Sequence, residues 1–268
     1  MTESTDHIAP IVVTGAGSGI GLALAHRLHA QGTPIIALDR NDCPIAGVPT
    51  IRCDLAEPAA IDAAVWQLPS DIGGLANVAG VPGTAPAPIV LAVNVLAPRL
   101  LIEKLLARLA IGSAIVNVAS VAAGRNTQPP EAIAELAATE NLPSLDTWLR
   151  EHPIEGPAAY DTSKRALVDW TRALAAELIP RGIRALSISP GPIETPILAD
   201  FTASMGAEAM ARSADAVGRH GTPDEVAAVI AFALSTDASW LNGIDILVEG
   251  GLHATRSATF PALKGLIR

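Results

Sequence analysis

The chain has 268 residues, half of them apolar, and a formal net charge of −9. This acidic balance argues against a nucleic acid or an anionic membrane as a partner, because both usually require a basic surface. The sequence has no apolar stretch long enough for a transmembrane helix, and its polar N-terminus does not resemble a signal peptide. Neither the two cysteines, Cys43 and Cys53, nor the scattered histidines have metal-ligand spacing, so we expect a cytoplasmic protein without a metal.

Short β-rich runs alternate with longer helical patterns from one end of the chain to the other. Strands that are apolar on both faces predict a parallel sheet covered by helices on both sides, a doubly wound α/β fold of about seven strands. No internal repeat or linker interrupts the pattern, so we expect one domain over 1–268. The predicted strands are 10–15, 34–39, 48–52, 73–79, 112–119, 183–189 and 243–248, and the predicted helices are 19–31, 57–67, 86–109, 158–179 and 223–234.

The segment 122–157 breaks this rhythm and is predicted to be a helical insertion. Pro130 can begin one short helix, and Ser144 can cap a second that places Leu145, Trp148 and Leu149 on one side. A long excursion at the carboxyl end of a strand lies where ligands bind in open α/β sheets. We therefore expect a lid, a subunit interface or both.

The stretch VTGAGSGIG (13–21) joins the first strand to the first helix. Its alternating glycines permit a tight turn and let backbone N–H groups approach a pyrophosphate at the helix N-terminus. A glycine pattern alone also fits a purely structural turn, but its place between a strand and a helix favours dinucleotide binding. The predicted contacts are Gly15, Gly17, Ser18, Gly19, Ile20 and Gly21.

Asp39 stands at the end of the second predicted strand. A carboxylate there accepts hydrogen bonds from the two ribose hydroxyls of NAD and repels the extra phosphate of NADP. Arg40 can hold that phosphate, but the negative charge beside it should dominate. We predict NAD as the cofactor, with Asp39 and Arg40 at its ribose; a solvated loop carboxylate is the alternative.

The stretch AAYDTSKRAL (158–167) contains the only tyrosine of the chain, Tyr160, with Lys164 one helical turn later. A free tyrosine has a pKa of about 10, so its use as a proton shuttle at neutral pH requires a nearby positive charge. Lys164 lies on the same helical face and can lower that pKa. The pair alone also fits two residues on a solvated helix.

With Ser120 ending the strand IVNVAS, and with the glycine loop, this pair makes the chain resemble the short-chain dehydrogenase/reductase family over nearly its whole length. The resemblance implies a Rossmann fold and a catalytic set of Asn94, Ser120, Tyr160 and Lys164. Val78 departs from the second asparagine of the family's NNAG element. The implied further cofactor contacts are Asp54, Leu55, Asn77, Ala79, Gly80, Tyr160, Lys164, Pro190, Gly191, Ile193 and Thr195.

The resemblance also implies the chemistry. Tyr160 would take the hydroxyl proton of an alcohol while the hydride moves to NAD, or donate a proton in the reverse direction. Ser120 would bind the substrate oxygen. Lys164 would stabilise the phenolate and bind the nicotinamide ribose, and Asn94 would anchor a water beside Lys164.

The long serine-to-tyrosine spacing resembles the bacterial 3α-hydroxysteroid dehydrogenase/carbonyl reductase branch of the family. The insertion would lie near the usual helix–helix interface of family members, which puts their common tetramer in doubt. We expect a homodimer or a homotetramer, with the helices at 86–109 and 158–179 offering packing faces. The C-terminal tail (252–268) has two possible places, over its own active site or over a neighbour's.

The substrate is expected to bind to a loop at about 196–220. This region carries little charge except Asp200, Glu208 and Arg212, and with Trp148 and Leu149 it predicts a small hydrophobic secondary alcohol or ketone, such as a hydroxysteroid or a cyclic terpenoid alcohol. The same apolar residues also fit the inner face of an ordinary amphipathic helix. They are Ile197, Leu198, Phe201, Met205 and Met210.

Two other functions remain open. One is a broad carbonyl reductase or a keto-acyl reductase on the same fold. The other is a dinucleotide sensor that binds NAD without catalysis, which is disfavoured because Tyr160 and Lys164 are both present.

Overall fold

A computed structural model describes residues 9–257, apart from the side chains of Phe201, Ser204, Met205, Ala209, Arg256 and Ser257. Over this range seven parallel strands form one sheet in the order β3-β2-β1-β4-β5-β6-β7. All seven predicted strands are present, which confirms the doubly wound parallel fold. They are β1 (Ile11–Thr14), β2 (Ile35–Asp39), β3 (Thr50–Arg52), β4 (Ile72–Asn77), β5 (Leu109–Val118), β6 (Arg184–Pro190) and β7 (Asp245–Val248).

Helices cover both faces of the sheet. Leu24 and Ile230 contribute to the core on one face, and Leu101 and Leu174 to the core on the other. The strand order reverses between β1 and β4, which places a ligand crevice at the carboxyl ends of these strands. The α-helices of the described range are α1 (Gly19–Ala30), α2 (Pro58–Gln67), α3 (Ala87–Leu91), α4 (Ala97–Leu105), α5 (Pro130–Ala137), α6 (Leu142–Glu151), α7 (Gly156–Leu178), α8 (Leu198–Met205), α9 (Ala207–Val217), α10 (Pro223–Leu234) and α11 (Leu252–Ser257).

The prediction of one continuous helix at 86–109 is wrong, because the helix is interrupted. A π-helical turn at Ala92–Leu96 separates α3 from α4, and the chain passes through a 3₁₀ turn before β5 begins at Leu109. Asn94 lies within the π turn, and its side chain bonds both the N–H and the C=O of Val81. Such turns often accompany functional sites, and this one carries a predicted site residue.

The insertion contains the two predicted helices, α5 and α6. The first begins at Pro130 as expected, but the second begins at Leu142 with Asn141 as its cap. Ser144 lies one turn inside, where its N–H donates to the Asn141 side chain at 2.9 Å. Asparagine caps a helix as well as serine does, so residue type alone does not choose between the two.

No helix among residues 9–257 is both long enough and apolar enough to cross a lipid bilayer.

Candidate active site

Two adjoining cavities open at the carboxyl ends of the central strands. The first, of about 600 Å³, lies over the glycine loop, and the second, of about 660 Å³, lies over Ser120 and Tyr160. Both are bordered by Gly80 and Thr195, so a molecule that fills the first can reach into the second.

Most of the predicted cofactor residues line these cavities. In the first cavity they are Gly15, Ser18, Gly19, Ile20, Gly21, Asp39, Arg40, Asp54, Leu55, Ala79, Gly80 and Thr195. In the second they are Ile20, Gly80, Tyr160, Lys164, Pro190, Gly191, Ile193 and Thr195.

Asp39 lies at the wall of the first cavity, held by the backbone. One carboxylate oxygen accepts the N–H of Gly17 at 2.9 Å, and the other accepts the N–H of Asn41 at 2.8 Å. Gly17 itself is not part of the wall, so the structure gives it the role of holding Asp39. Each carboxylate oxygen keeps a second acceptor position, which suits a diol such as the ribose of a dinucleotide.

Asn77 is absent from both cavity walls within the described structure, and its predicted cofactor contact stays a prediction. Its side chain is buried in the sheet, where the amide nitrogen donates to Asn117 at 2.8 Å. Asn77 and Asn117 are register partners on β4 and β5, so their side chains lie on the same face of the sheet. Asn117 in turn donates to the Thr171 hydroxyl on α7 at 2.8 Å.

Thr14 is a site-forming residue that the sequence analysis missed. Its hydroxyl accepts the N–H groups of Val78 and Ala79 at 2.9 and 3.0 Å, which fastens the loop after β4 to the loop after β1. A threonine that ends a strand just before a glycine loop is the only sequence signal for this contact.

The glycine loop fits a dinucleotide pyrophosphate. Its backbone is packed so closely that a methyl group on Gly21 would overlap with the carbonyl group of Gly15. This packing brings the N-terminal N–H groups of α1, with their partial positive charge, to the wall of the first cavity. The residues present therefore suit the pyrophosphate of a dinucleotide.

The close packing at Gly21 gives a testable prediction. Gly21→Ala should lower the midpoint of thermal unfolding by about 5–10 °C, since relieving a backbone clash typically costs about 2–3 kcal/mol, and should weaken dinucleotide binding at least about tenfold. Gly124→Ala is the matched control because a methyl group there meets no atom within 4 Å. Differential scanning calorimetry and dinucleotide titration measure both effects. Equal stability of the two variants would contradict the packing argument.

Ser120, Tyr160 and Lys164 lie together in the wall of the second cavity. Ser120 follows the end of β5 and hydrogen-bonds the phenol of Tyr160. Lys164 donates to the Val118 carbonyl at 2.9 Å, and its Nζ lies 5.6 Å from the centre of the Tyr160 ring. The end of β5 and one face of α7 thus bring together the three groups that the sequence places apart.

Burial dominates the protonation of this cluster. It raises the pKa of Tyr160 to about 12, with a smaller increase from Asp161, while the Ser120 hydrogen bond and Arg125 act in the opposite direction. Burial also lowers the pKa of Lys164 to about 8. The pKa of Tyr160 is therefore raised and not lowered in the protein alone, because desolvation of the phenol outweighs the Ser120 hydrogen bond and the charge of Arg125.

Asn94 connects the cluster to its surroundings through its side chain. Its amide nitrogen donates to Ser163 at 3.1 Å, and Ser163 donates to the backbone carbonyl of Tyr160 at 2.7 Å. The side chain therefore holds the loop after β4 against α7. The predicted role of Asn94 in anchoring a water stays a prediction.

The outer wall of the second cavity comes from the predicted substrate loop and from the C-terminal region. Ile197, Met210 and Arg212 line it, and Leu252 and Thr255 of α11 close it, which places the described part of the tail over its own active site. Of the other predicted loop residues, Leu198 does not line the wall, and the side chains of Phe201 and Met205 lie outside the part of the chain that the structure describes. The rest of the predicted tail, residues 258–268, also lies outside that part.

The prediction that Trp148 lines the substrate site is wrong, and Leu149 is partly buried between the insertion and the cluster around Tyr160 and does not line the second cavity. Trp148 is buried in the insertion with Leu91 and Leu136, and its indole N–H donates to the Ala132 carbonyl at 2.8 Å. The helical pattern correctly predicted an apolar face on α6, but that face packs on α3 and α5.

Arg125 is a charged residue of the second cavity that the sequence analysis did not identify. It lies five residues after Ser120 and forms a two-bond ion pair with Asp161, the residue after Tyr160. Its proximity to Ser120 in sequence was the available signal, but the partner is 36 residues away.

Comparisons with known proteins place this arrangement among enzymes. A family model described as short chain dehydrogenase matches residues 9–132, and one described as enoyl-(acyl carrier protein) reductase matches residues 145–253. Coniferyl-alcohol dehydrogenase of Pseudomonas sp. strain HR199 is 39% identical over 91% of this chain and 96% of its own length.

Solved structures agree with the fold and include both nicotinamide cofactors. The 3-alpha-hydroxysteroid dehydrogenase of Pseudomonas sp. B-0831, solved with NADH, has a TM-score of 0.80 and 30% identity, covering 94% of this chain and 100% of its own. A short chain dehydrogenase of Burkholderia cenocepacia J2315, solved with NADP, has a TM-score of 0.72 and 27% identity, covering 91% and 98%.

Proposed function

Since the chain belongs to the short-chain dehydrogenase/reductase family and is an oxidoreductase of the alcohol dehydrogenase/carbonyl reductase type, we propose that it interconverts a hydrophobic secondary alcohol and its ketone with NAD. The observation that carries this proposal is the cluster of Ser120, Tyr160 and Lys164 in a cavity that adjoins the dinucleotide cavity.

The cluster supports proton transfer at one atom. In oxidation the phenolate oxygen of Tyr160 takes the proton of the substrate hydroxyl, and Ser120 holds the substrate oxygen at hydrogen-bonding distance. The bound cofactor supplies the hydride acceptor. Lys164 contributes positive charge beside the phenol and an N–H donor for the nicotinamide ribose, while the apolar wall of the cavity excludes water.

The preference for NAD rests on Asp39. Its carboxylate lies in the wall of the first cavity and is fixed there by two backbone N–H groups. Arg40 is exposed beside it. A fixed negative charge at this position disfavours a second phosphate on the ribose more strongly than a flexible exposed arginine favours one.

The proposed substrate is hydrophobic because the second cavity is largely apolar. Met210 and Leu252 are buried in its wall, and among the described residues no aspartate or glutamate lines it. The names of the similar proteins, a coniferyl-alcohol dehydrogenase and a 3-alpha-hydroxysteroid dehydrogenase, support a bulky cyclic alcohol. A hydroxysteroid or a cyclic terpenoid alcohol fits this class.

The test is turnover with a panel of steroid, terpenoid, simple cyclic and coniferyl alcohols, each with NAD and with NADP, followed by NADH or NADPH formation. We expect NAD-dependent oxidation of one bulky cyclic group, at least about tenfold faster than with NADP. Fast reduction of keto-acyl thioesters, with no alcohol oxidised, would favour a keto-acyl reductase instead. Tight NAD binding without any turnover would favour the sensor.

The homodimer or homotetramer and the cytoplasmic location expected from the sequence stay proposals. Support for self-association comes from the β7 edge of the sheet, where the half-exposed side chains of Phe232, Ile244 and Leu247 are apolar. The packing faces expected on α3 and α7 are partly covered within the chain, because Ala132, Ile133 and Leu136 of α5 pack there.

A further inference from the structure

An ion pair joins the two segments that carry Ser120 and Tyr160. Arg125 ends the 3₁₀ turn that follows Ser120, and Asp161 follows Tyr160 on α7. The arginine Nε lies 3.0 Å from one carboxylate oxygen, and its Nη2 lies 2.7 Å from the other. The Asp161 side chain is only 10% exposed. A two-bond pair of this kind fixes orientation as well as distance.

The next residue on each segment repeats the connection. The hydroxyl of Thr162 donates to the side-chain carbonyl of Asn126 at 3.0 Å. Two consecutive side-chain pairs therefore fasten the entry of the insertion to the first turns of α7. Burying the Asp161 carboxylate costs desolvation energy. An apolar contact would hold the two segments together without that cost, so stability of the fold alone does not explain why a charged pair is present.

The pair also acts on the phenol electrostatically. Asp161 raises the pKa of Tyr160 and Arg125 lowers it, so the two charges offset each other. Among the described residues, the other charged groups that face this cavity are Lys164 from α7 and Arg212 from α9. The side of Tyr160 towards α3 is apolar, formed by Ala87 and Val90.

Given Tyr160 as the acid and base of the proposed function, we propose that Arg125 and Asp161 are positioning residues that set the pH range in which Tyr160 exchanges its proton. Either charge alone would shift this pH range, and the opposite effects of the two charges together leave it nearly unshifted. The proposal rests on the proposed function but predicts a pattern that the function by itself does not.

The sign of each effect follows from the charge that remains. Alcohol oxidation requires the phenolate, so its rate rises with pH until Tyr160 is deprotonated. Asp161→Asn leaves the arginine, which stays charged at all accessible pH values, and should move this rise to lower pH. Arg125→Gln leaves the carboxylate and should move it to higher pH. The double variant should return towards the wild type.

The experiment is the pH profile of kcat/KM for alcohol oxidation at saturating NAD, with the substrate found in the panel. If the pH at which kcat/KM rises is displaced by about half to one unit, the rate at a fixed pH below the phenol pKa changes about three- to tenfold. We expect the rate at that pH to increase by this factor in Asp161→Asn and to decrease by it in Arg125→Gln. In Arg125→Lys it should change less than about twofold. Arg165→Gln and Asp169→Asn are the matched controls, since this exposed pair lies on the same helix.

An unchanged profile in Asp161→Asn, shifts of both single variants in the same direction, or a double variant that shifts as far as Asp161→Asn would overturn the proposal. If Asp161→Asn does not fold, the comparison of Arg125→Gln with Arg125→Lys decides, and equal profiles overturn it. Failure of the proposed function gives a different result: the wild type oxidises no alcohol of the panel, or Tyr160→Phe retains turnover and the same pH dependence.

Discussion

Tyr160→Phe should lower kcat/KM for alcohol oxidation about a thousandfold while dinucleotide affinity changes less than about threefold. The loss follows from removing the general base, whose contribution is typically about 10²- to 10⁴-fold. Affinity should persist because the ring remains and keeps its contacts with Ala87, Val90 and Ala122. Steady-state kinetics and a fluorescence titration with NADH measure the two quantities.

The control for this variant is Thr171→Val, which also removes a buried hydroxyl from α7. Thr171 bonds Asn117 and the Leu167 carbonyl, and none of these three residues lines either cavity. Its loss should lower thermal stability and leave kcat/KM within about twofold, because no reacting atom is involved. If Tyr160→Phe keeps more than a tenth of wild-type turnover, Tyr160 is not the acid and base.

The fold was predictable because its signals are local. Most strands are short apolar runs that end near a glycine, a proline or a polar residue, and these signals lie within a few residues of each strand. The helix at Pro223–Leu234 was predictable for the same reason: Thr222 and Glu225 form a capping box, with the Thr222 N–H donating to the glutamate at 2.8 Å.

The direction of side chains was less predictable because it depends on contacts distant in sequence. The pattern around Trp148 predicted an apolar face but not its partner, which turned out to be α3 and α5 and not a ligand. Asn77 matched a family element, yet its place in the strand turns it towards Asn117. Asn94 in the π turn bonds Val81, a contact that no helical periodicity reveals.

In the active site, too, features set by neighbouring residues were predictable and features set by distant contacts were not. Tyr160 and Lys164 are one helical turn apart, so their common face was predictable. Arg125 and Asp161 are 36 residues apart, and their pairing depends on the path of the whole insertion. The strongest influence on the phenol, its burial, is a property of the packed structure and has no local sequence signal.

Asp39→Ser should change the cofactor preference. The ratio of kcat/KM with NADP to that with NAD should rise about a hundredfold or more, because a like charge placed beside a phosphate costs several kcal/mol and each tenfold corresponds to about 1.4 kcal/mol. Part of the change is lost NAD affinity, since the carboxylate no longer binds the ribose hydroxyls. The rest is gained NADP affinity through removal of the repulsion.

Asp54→Asn is the matched control for this prediction. Asp54 lines the same cavity, and its carboxylate accepts the N–H of Ala56 at 3.0 Å. Neutralising it changes the total charge of the cavity by the same amount as Asp39→Ser but at another position. We expect the NADP to NAD ratio of Asp54→Asn to stay within about threefold of wild type if position, and not total charge, determines the preference.

Arg40 decides how the Asp39→Ser result is to be explained. If the arginine binds the extra phosphate once the carboxylate is gone, Asp39→Ser with Arg40→Ala should lose about tenfold in kcat/KM with NADP relative to Asp39→Ser, as expected for one charge-assisted hydrogen bond. The rate with NAD should be unaffected by Arg40→Ala. An unchanged NADP to NAD ratio in Asp39→Ser, or a wild-type protein that prefers NADP, would show that Arg40 and not Asp39 sets the preference, and the NAD proposal would be wrong.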